Sequence, residues 1–186
     1  MTIFILKNPN VLTVSLLVIG LLTACSNNKT NNANNSIAGL YKLKIIEKLD
    51  STTNRWYEED FGKGGDSYIL YDGSGHMAVQ ITSKGYKDFD WLTEKQATDQ
   101  RLLTQHIDSM SCEQLKSAIR EFTSSFFYFA DYRINDTTNI ITHKRLSSSV
   151  PSAWGTLVKR QFFFAGDTLT LLFPDGKKRL KWIRQK

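Results

Sequence analysis

Cysteine is scarce in this chain. Among 186 residues only Cys25 and Cys112 carry a thiol. If Cys25 is modified, Cys112 has no partner for an internal disulfide, and the folded part must rely on its own hydrophobic core. Cys112 itself, in Ser-Cys-Glu-Gln, has no histidine pairing readable from sequence and is read as structural. Histidine is as rare. His76, His106 and His143 form no pair at helical metal-binding spacing and no Cys/His cluster, so no metal centre is expected. There is no Gly-x-Ser-x-Gly elbow and no set-apart carboxylate pair. Gly62-Lys63-Gly64-Gly65 opens no helix, so it is no phosphate cradle. No catalytic residue and no cofactor are therefore assigned. The formal charge of +6 is spread along the chain. No block of like charge is long enough to serve as a nucleic-acid arm. Lys177-Lys178-Arg179 follows the turn Pro174-Asp175-Gly176 and reads as a solvated strand start. No internal repeat is present.

A long apolar run is also missing. Residues 11–22 are apolar but shorter than the roughly 20 residues of a membrane span. They follow a single charge, Lys7, and lead into Leu22-Thr23-Ala24-Cys25. A basic start, an apolar stretch, two small residues and a cysteine make a lipoprotein-type signal, an address rather than structure. Residues 1–24 are expected to be removed, leaving Cys25 to carry acyl chains on its thiol and amino group. Two or three acyl chains give stable anchoring where one is marginal. Ser26 is not the aspartate that commonly retains lipoproteins at the inner membrane, so outer-membrane residence is expected in a cell with two membranes. Residues 25–36 are polar and rich in Asn, too poor in apolar groups to offset ordering entropy. They read as a tether with a reach on the order of 20 Å. Residues 37–186 form the expected single domain.

From Gly39 the period becomes two. Tyr41, Leu43 and Ile45 alternate with Lys42 and Lys44, the mark of a half-buried strand. Residues 67–71 and 76–81 are aromatic and β-branched runs joined by Asp72-Gly73-Ser74-Gly75, a tight hairpin. Residues 82–110 are weakly patterned. Ser111 and Gln114 form a capping box that starts a helix through Phe122. In residues 125–134, Phe126, Tyr128, Ala130, Tyr132 and Ile134 share one face. Strands at 140–146, 157–164, 168–173 and 179–184 follow. About eight short strands, tight turns and one or two short helices predict a mainly β fold, an antiparallel barrel. Closure removes exposed edges, and at this strand number the interior admits one small ligand.

Five segments in order resemble the bacterial and fungal lipocalin-like domain family. Gly39-Leu40-Tyr41-Lys42-Leu43 resembles its opening Gly-Thr-Trp-Lys-Leu, with Tyr41 in place of the usual Trp. The hairpin Tyr68-Ile69-Leu70-Tyr71 through Met77-Ala78-Val79-Gln80 is similar to its Tyr-Leu-Ile-Tyr, turn, Met-x-Val-Gln. Phe127 to Arg133 resembles its Tyr-Phe-Gly-Thr-Tyr strand, without a residue-by-residue match. Trp154-Gly155 with Arg160 and Phe162 resembles its Trp-x-Gly-x-x-x-x-Arg-x-Phe. Asp167-Thr168-Leu169-Thr170-Leu171 resembles its Gly-Asp-x-Leu-Thr-Leu. The resemblance covers residues 39–184 and implies a lipocalin-like (calycin-type) barrel. It also implies that Arg184 packs over Tyr41 near a closed end. It supplies no catalytic set, and a shared fold does not fix function.

Alternate positions give the expected ligand contacts: Tyr41, Tyr68, Met77, Phe126, Tyr128 and Trp182. Aromatic rings and the flexible Met77 suit a small apolar guest. Two readings stand: an envelope lipoprotein whose barrel binds a small hydrophobic ligand, and a filled barrel acting through its surface. His76 begins a strand and shares a face with Ala78 and Gln80, which leaves both a ligand contact and a wet hairpin end open. The partners expected are a membrane, through Cys25, and a small hydrophobic ligand, with no nucleic acid. Replacing Cys25 by Ser is expected to abolish membrane retention, since both acyl attachment points lie on that residue. Fractionation of cells measures it, and a processed Cys25→Ser chain still found with membranes contradicts the anchor.

Overall fold

The computed structural model describes residues 37–88 and 90–186; Cys25 and the expected signal and tether lie outside them. In chain order the elements are β1 (Gly39–Asp50), β2 (Arg55–Glu58), β3 (Tyr68–Tyr71) and β4 (His76–Thr82), followed by α1 (Glu94–Thr98), α2 (Gln100–Ser109) and α3 (Cys112–Phe122). Then come β5 (Ser125–Asn135), β6 (Ile140–Ser148), β7 (Leu157–Ala165), β8 (Thr168–Leu172) and β9 (Lys178–Arg184). All pairings are antiparallel, in the order β2-β1-β3-β4-β5-β6-β7-β8-β9, and β1 also pairs with β9. Eight strands therefore close into a barrel, with β2 attached outside the ring. Every strand of the ring finds its partners within the compact unit Ala33–Lys186.

Closure depends on β1. Along one edge it pairs with β9 from Tyr41↔Arg184 to Lys48↔Lys178. Along the other it gives residues 39–42 to β3 and residues 47–50 to β2. A bulge between Leu43 and Ile45 bends the strand, as an extra unpaired residue does. The bulge also reverses the phase. Tyr41 is buried before it and Ile46 after it, so the simple alternation Tyr41-Leu43-Ile45 ends at Leu43.

One end of the barrel is sealed. The Arg184 guanidinium lies 4.8 Å above the Tyr41 ring, as the resemblance implied, and its Nη1 donates to the Ala38 carbonyl at 2.6 Å. The Tyr41 hydroxyl donates to the Ile37 carbonyl at 2.8 Å. Gly39 makes room for this arrangement: its φ is +144°, and a Cβ there would stand 2.9 Å from Arg184 Nη1. The β3–β4 hairpin lies at the same end. Asp72 accepts the backbone N–H groups of Ser74, Gly75 and His76 at 2.8, 3.0 and 2.9 Å, and the Ser74 hydroxyl, with His76, holds its carboxyl well below the usual range.

The helices belong to the other end. Chain leaves β4 at Thr82 and re-enters β5 at Ser125, and these two residues are directly paired. Three short helices fill the connection, one more than the pattern suggested. α1 begins with a Thr93–Gln96 capping box, α2 with an Asp99 cap, and α3 with the expected Ser111–Gln114 box. Cys112 is the first residue of α3 and is exposed. The outward rings of β5 lack a helical cover: Phe127 and Phe129 remain 40% and 58% exposed.

Gly65 fixes the approach to β3. A Cβ on it would lie 1.7 Å from the Thr82 carbonyl oxygen, an atom of β4 backbone that cannot move alone. Gly65→Ala is expected to lower the unfolding free energy by about 2 kcal/mol or more, as overpacking with backbone displacement does. Urea unfolding measures this, and a variant as stable as the parent contradicts the packing.

Candidate functional site

Inward positions in the half of the barrel away from Arg184 leave a cavity of about 230 Å³. A cavity of about 150 Å³ holds benzene, so this one admits a single ring or a short chain. Its apolar wall comes from several strands: Ile69 of β3, Val79 and Ile81 of β4, Leu171 of β8, and Leu180 and Trp182 of β9. Their alternation with outward residues is the period-two pattern of strands buried on one face. Phe61, from the connection after β2, joins Phe126 and Phe173 on the wall.

The rest of the wall is polar. His143 of β6 is 1% exposed and sits between two phenols. Its Nε2 is 3.1 Å from the Tyr71 hydroxyl and its Nδ1 2.9 Å from that of Tyr128. Burial, reinforced by the positive charges of Arg160 and Arg145, lowers its pKa to about 3. At neutral pH the imidazole is therefore uncharged. Burial also raises Tyr71 and Tyr128, so both phenols keep their protons.

Three cations reach the cavity. Arg145 of β6 lies 4.9 Å from the Tyr128 ring and 5.7 Å from that of Phe126, and donates to Thr156 Oγ1 at 3.2 Å. Arg160 of β7 stacks 3.5 Å over the Phe173 ring and donates to the Lys159 carbonyl at 2.7 Å. Burial depresses its pKa, but a guanidinium stays protonated. Lys178 of β9 pairs with Glu59 at 2.6 Å, and Glu59 also binds Lys48 at 2.6 Å. Burial alone would raise the Glu59 carboxyl; the two lysines outweigh it and hold it below its ordinary value.

Of the residues expected to face a ligand, Phe126, Tyr128 and Trp182 line this cavity. Tyr41 and Met77 are buried core residues off its wall, and Tyr41 lies at the sealed end under Arg184. Tyr68 is a correction. In β3 the buried residues are Ile69 and Tyr71, while Tyr68 and Leu70 face outward and are exposed. The run Tyr-Ile-Leu-Tyr is apolar in both phases, so its register was set only by pairing with β1 and β4. Residues not assigned to a ligand from the sequence are His143, Arg145 and Arg160, although Arg160 stands in the Trp-x-Gly-x-x-x-x-Arg-x-Phe resemblance. Their signal was positional: Ile141-His143-Arg145 and Val158-Arg160-Phe162 place polar side chains in phase with buried ones. His76 is exposed at the hairpin, 2.9 Å from Asp72, and His106 stacks on Trp91 with centroids 6.1 Å apart. Among the described residues no group of three His, Cys, Asp or Glu side chains is placed to hold a metal ion.

Residues 39–183 match the family described as the lipocalin-like domain. No curated protein and no solved structure matches the chain.

His143 makes stability depend on pH. Above about pH 6.5 the group is neutral whether folded or unfolded. Below that the unfolded chain takes up a proton that the folded chain refuses until about pH 3. Stability is thus complete above pH 6.5 and falls as pH drops, by up to about 1.4 kcal/mol per pH unit. Urea unfolding at pH 7 and pH 5 is expected to differ by about 2 kcal/mol more in the parent than in His143→Gln. An equal loss in both contradicts a buried, neutral His143.

Proposed function

Since the chain belongs to the lipocalin-like domain family, we propose that its barrel binds one small, mostly apolar molecule at the surface of a membrane to which Cys25 tethers it. The observation that carries the binding reading is the cavity. It is about 230 Å³, built from inward side chains of all eight ring strands, with aromatic and aliphatic walls and a few convergent polar groups. That combination is the usual make-up of a small-ligand site. Its volume lies just below the usual range of such sites, which favours a ligand of about ten non-hydrogen atoms over a long lipid. The anchoring reading is supported by Leu22-Thr23-Ala24-Cys25 and the polar stretch that follows it. On this reading the protein belongs to the cell envelope, at the outer membrane where two membranes exist, and captures a small hydrophobic compound near the bilayer.

A second reading is favoured by the outer face. Leu40 of β1, Tyr68 and Leu70 of β3, and Phe127 and Phe129 of β5 flank Ala78 and Gln80 of β4, where they line a shallow apolar depression. Contiguous exposed apolar surface of this kind marks a contact site on many proteins. A barrel working through this face needs no ligand inside.

Native mass spectrometry of residues 25–186, carrying Cys25→Ser and purified from cells, separates the two. The expected result is an adduct of small-molecule mass that is lost when Leu171→Trp fills the cavity. The absence of any adduct, joined to the absence of saturable tryptophan quenching by single-ring compounds, overturns ligand binding and leaves the surface reading.

A further inference from the structure

The cavity is electrically one-sided. Every charged side chain on its wall is a cation. Lys178 is matched by Glu59. Arg145 and Arg160 are not: their hydrogen bonds go to a threonine hydroxyl and a backbone carbonyl, both neutral. Among the described residues neither lies in an ion pair, and Asp175 acts on Arg160 only through space. The Nε of Arg145 is buried with no hydrogen-bond partner. Two guanidinium groups at one small apolar cavity are costly unless an anion compensates them. Guanidinium N–H groups also match the geometry of a carboxylate better than any other protein cation does.

The Tyr71–His143–Tyr128 chain supplies a further donor by elimination. A neutral imidazole has one N–H and one acceptor nitrogen. Tyr71 is fully buried, makes no other side-chain hydrogen bond and does not reach the cavity. Its O–H therefore needs the imidazole as acceptor, because an orphaned buried hydroxyl is expensive. Nε2 then accepts from Tyr71, and Nδ1–H donates to the Tyr128 oxygen. That leaves the O–H of Tyr128, a residue that does line the cavity, without an acceptor of its own. The opposite tautomer would strand the O–H of Tyr71 in the core. The accounting sends one hydroxyl donor to the same wall as two unmatched guanidinium groups.

We propose that the barrel recognises a small amphipathic carboxylate, its head held by Arg145, Arg160 and the Tyr128 hydroxyl and its body against Trp182, Leu171 and Leu180. This rests on the ligand-binding reading of the cavity and names the chemistry of its guest. A carboxylate is the anion that spends fewest atoms on its charge, and the volume leaves room for only a ring or about eight carbons beside it.

The test compares three near-isosteric probes, octanoate, octanamide and octylammonium, by calorimetric titration into residues 25–186 carrying Cys25→Ser. Octanoate is expected to bind about tenfold or more tighter than octanamide, the scale of a charge-assisted bond, and octylammonium is expected not to bind. Arg145→Gln and Arg160→Gln, checked for folding by thermal melting, are each expected to reduce the ratio below about threefold while octanamide affinity holds. The parent's own ratio decides the matter even if a variant fails to fold. Octanamide binding as tightly as octanoate, octylammonium binding as well as either, or an unchanged ratio in both folded variants overturns the carboxylate assignment and leaves the cavity as a ligand site. Failure of all three probes to saturate overturns both.

Discussion

The pairing of β1 with β9 is the constraint on which the rest depends. Without it the eight strands form an open sheet with two raw edges, and inward side chains face water instead of one another. β1 must satisfy β9 along its whole length while sharing its other edge between β3 and β2. A flat strand cannot do this, and the bulge at Leu43/Ile45 supplies the bend. The same bulge moves Ile46 and Lys48 to the inner phase, which puts Lys48 within 2.6 Å of Glu59 and lets Glu59 reach Lys178. A backbone irregularity thus decides which cation at this end of the barrel is neutralised and which are not.

The two ends then take opposite characters. At one end Arg184, Tyr41 and the turn held by Asp72 use nearly every polar group locally. At the other, polar groups converge without mutual satisfaction. Packing explains the first end, apart from a Tyr132 hydroxyl buried there without a hydrogen-bond partner. The second is poor economy for stability alone, because apolar residues of similar size would fill the space without buried charge. The proposed carboxylate would supply the anion that the two guanidinium groups beside this cavity of about 230 Å³ lack among the described residues.

Much of the fold was legible because its strands are buried on one face. Phe126, Tyr128, Ala130, Tyr132 and Ile134 alternate without interruption, and β5 follows them. The Asp-Gly-Ser-Gly turn and the Ser111 cap are local chemistry and stand where their residues imply. Legibility failed where both phases of a strand are apolar, as at Tyr68, or where a bulge changes phase, as after Leu43. It also failed in residues 82–110. There, α1 and α2 bury no residue fully, and the signal is confined to the short apolar face of α2 at Leu102, Leu103 and Ile107 and to the caps at Thr93 and Asp99. The polar half of the site was hidden differently. Arg145 and Arg160 belong to a residue type normally solvated, and only the phase of their strands shows that they turn inward. The proposed anchor at Cys25 rests on the sequence alone, because signals of that kind are linear addresses that need no fold.

The measurement that bears most directly on the cavity is anomalous scattering from crystals grown with 4-bromobenzoate, a carboxylate of about ten non-hydrogen atoms, the size the cavity admits. One bromine peak is expected inside the barrel beside Trp182 and Leu171, with the carboxylate on Arg145 and Arg160. Bromine only on the outer face at Phe127 and Phe129, or an interior closed by its own side chains, would contradict it.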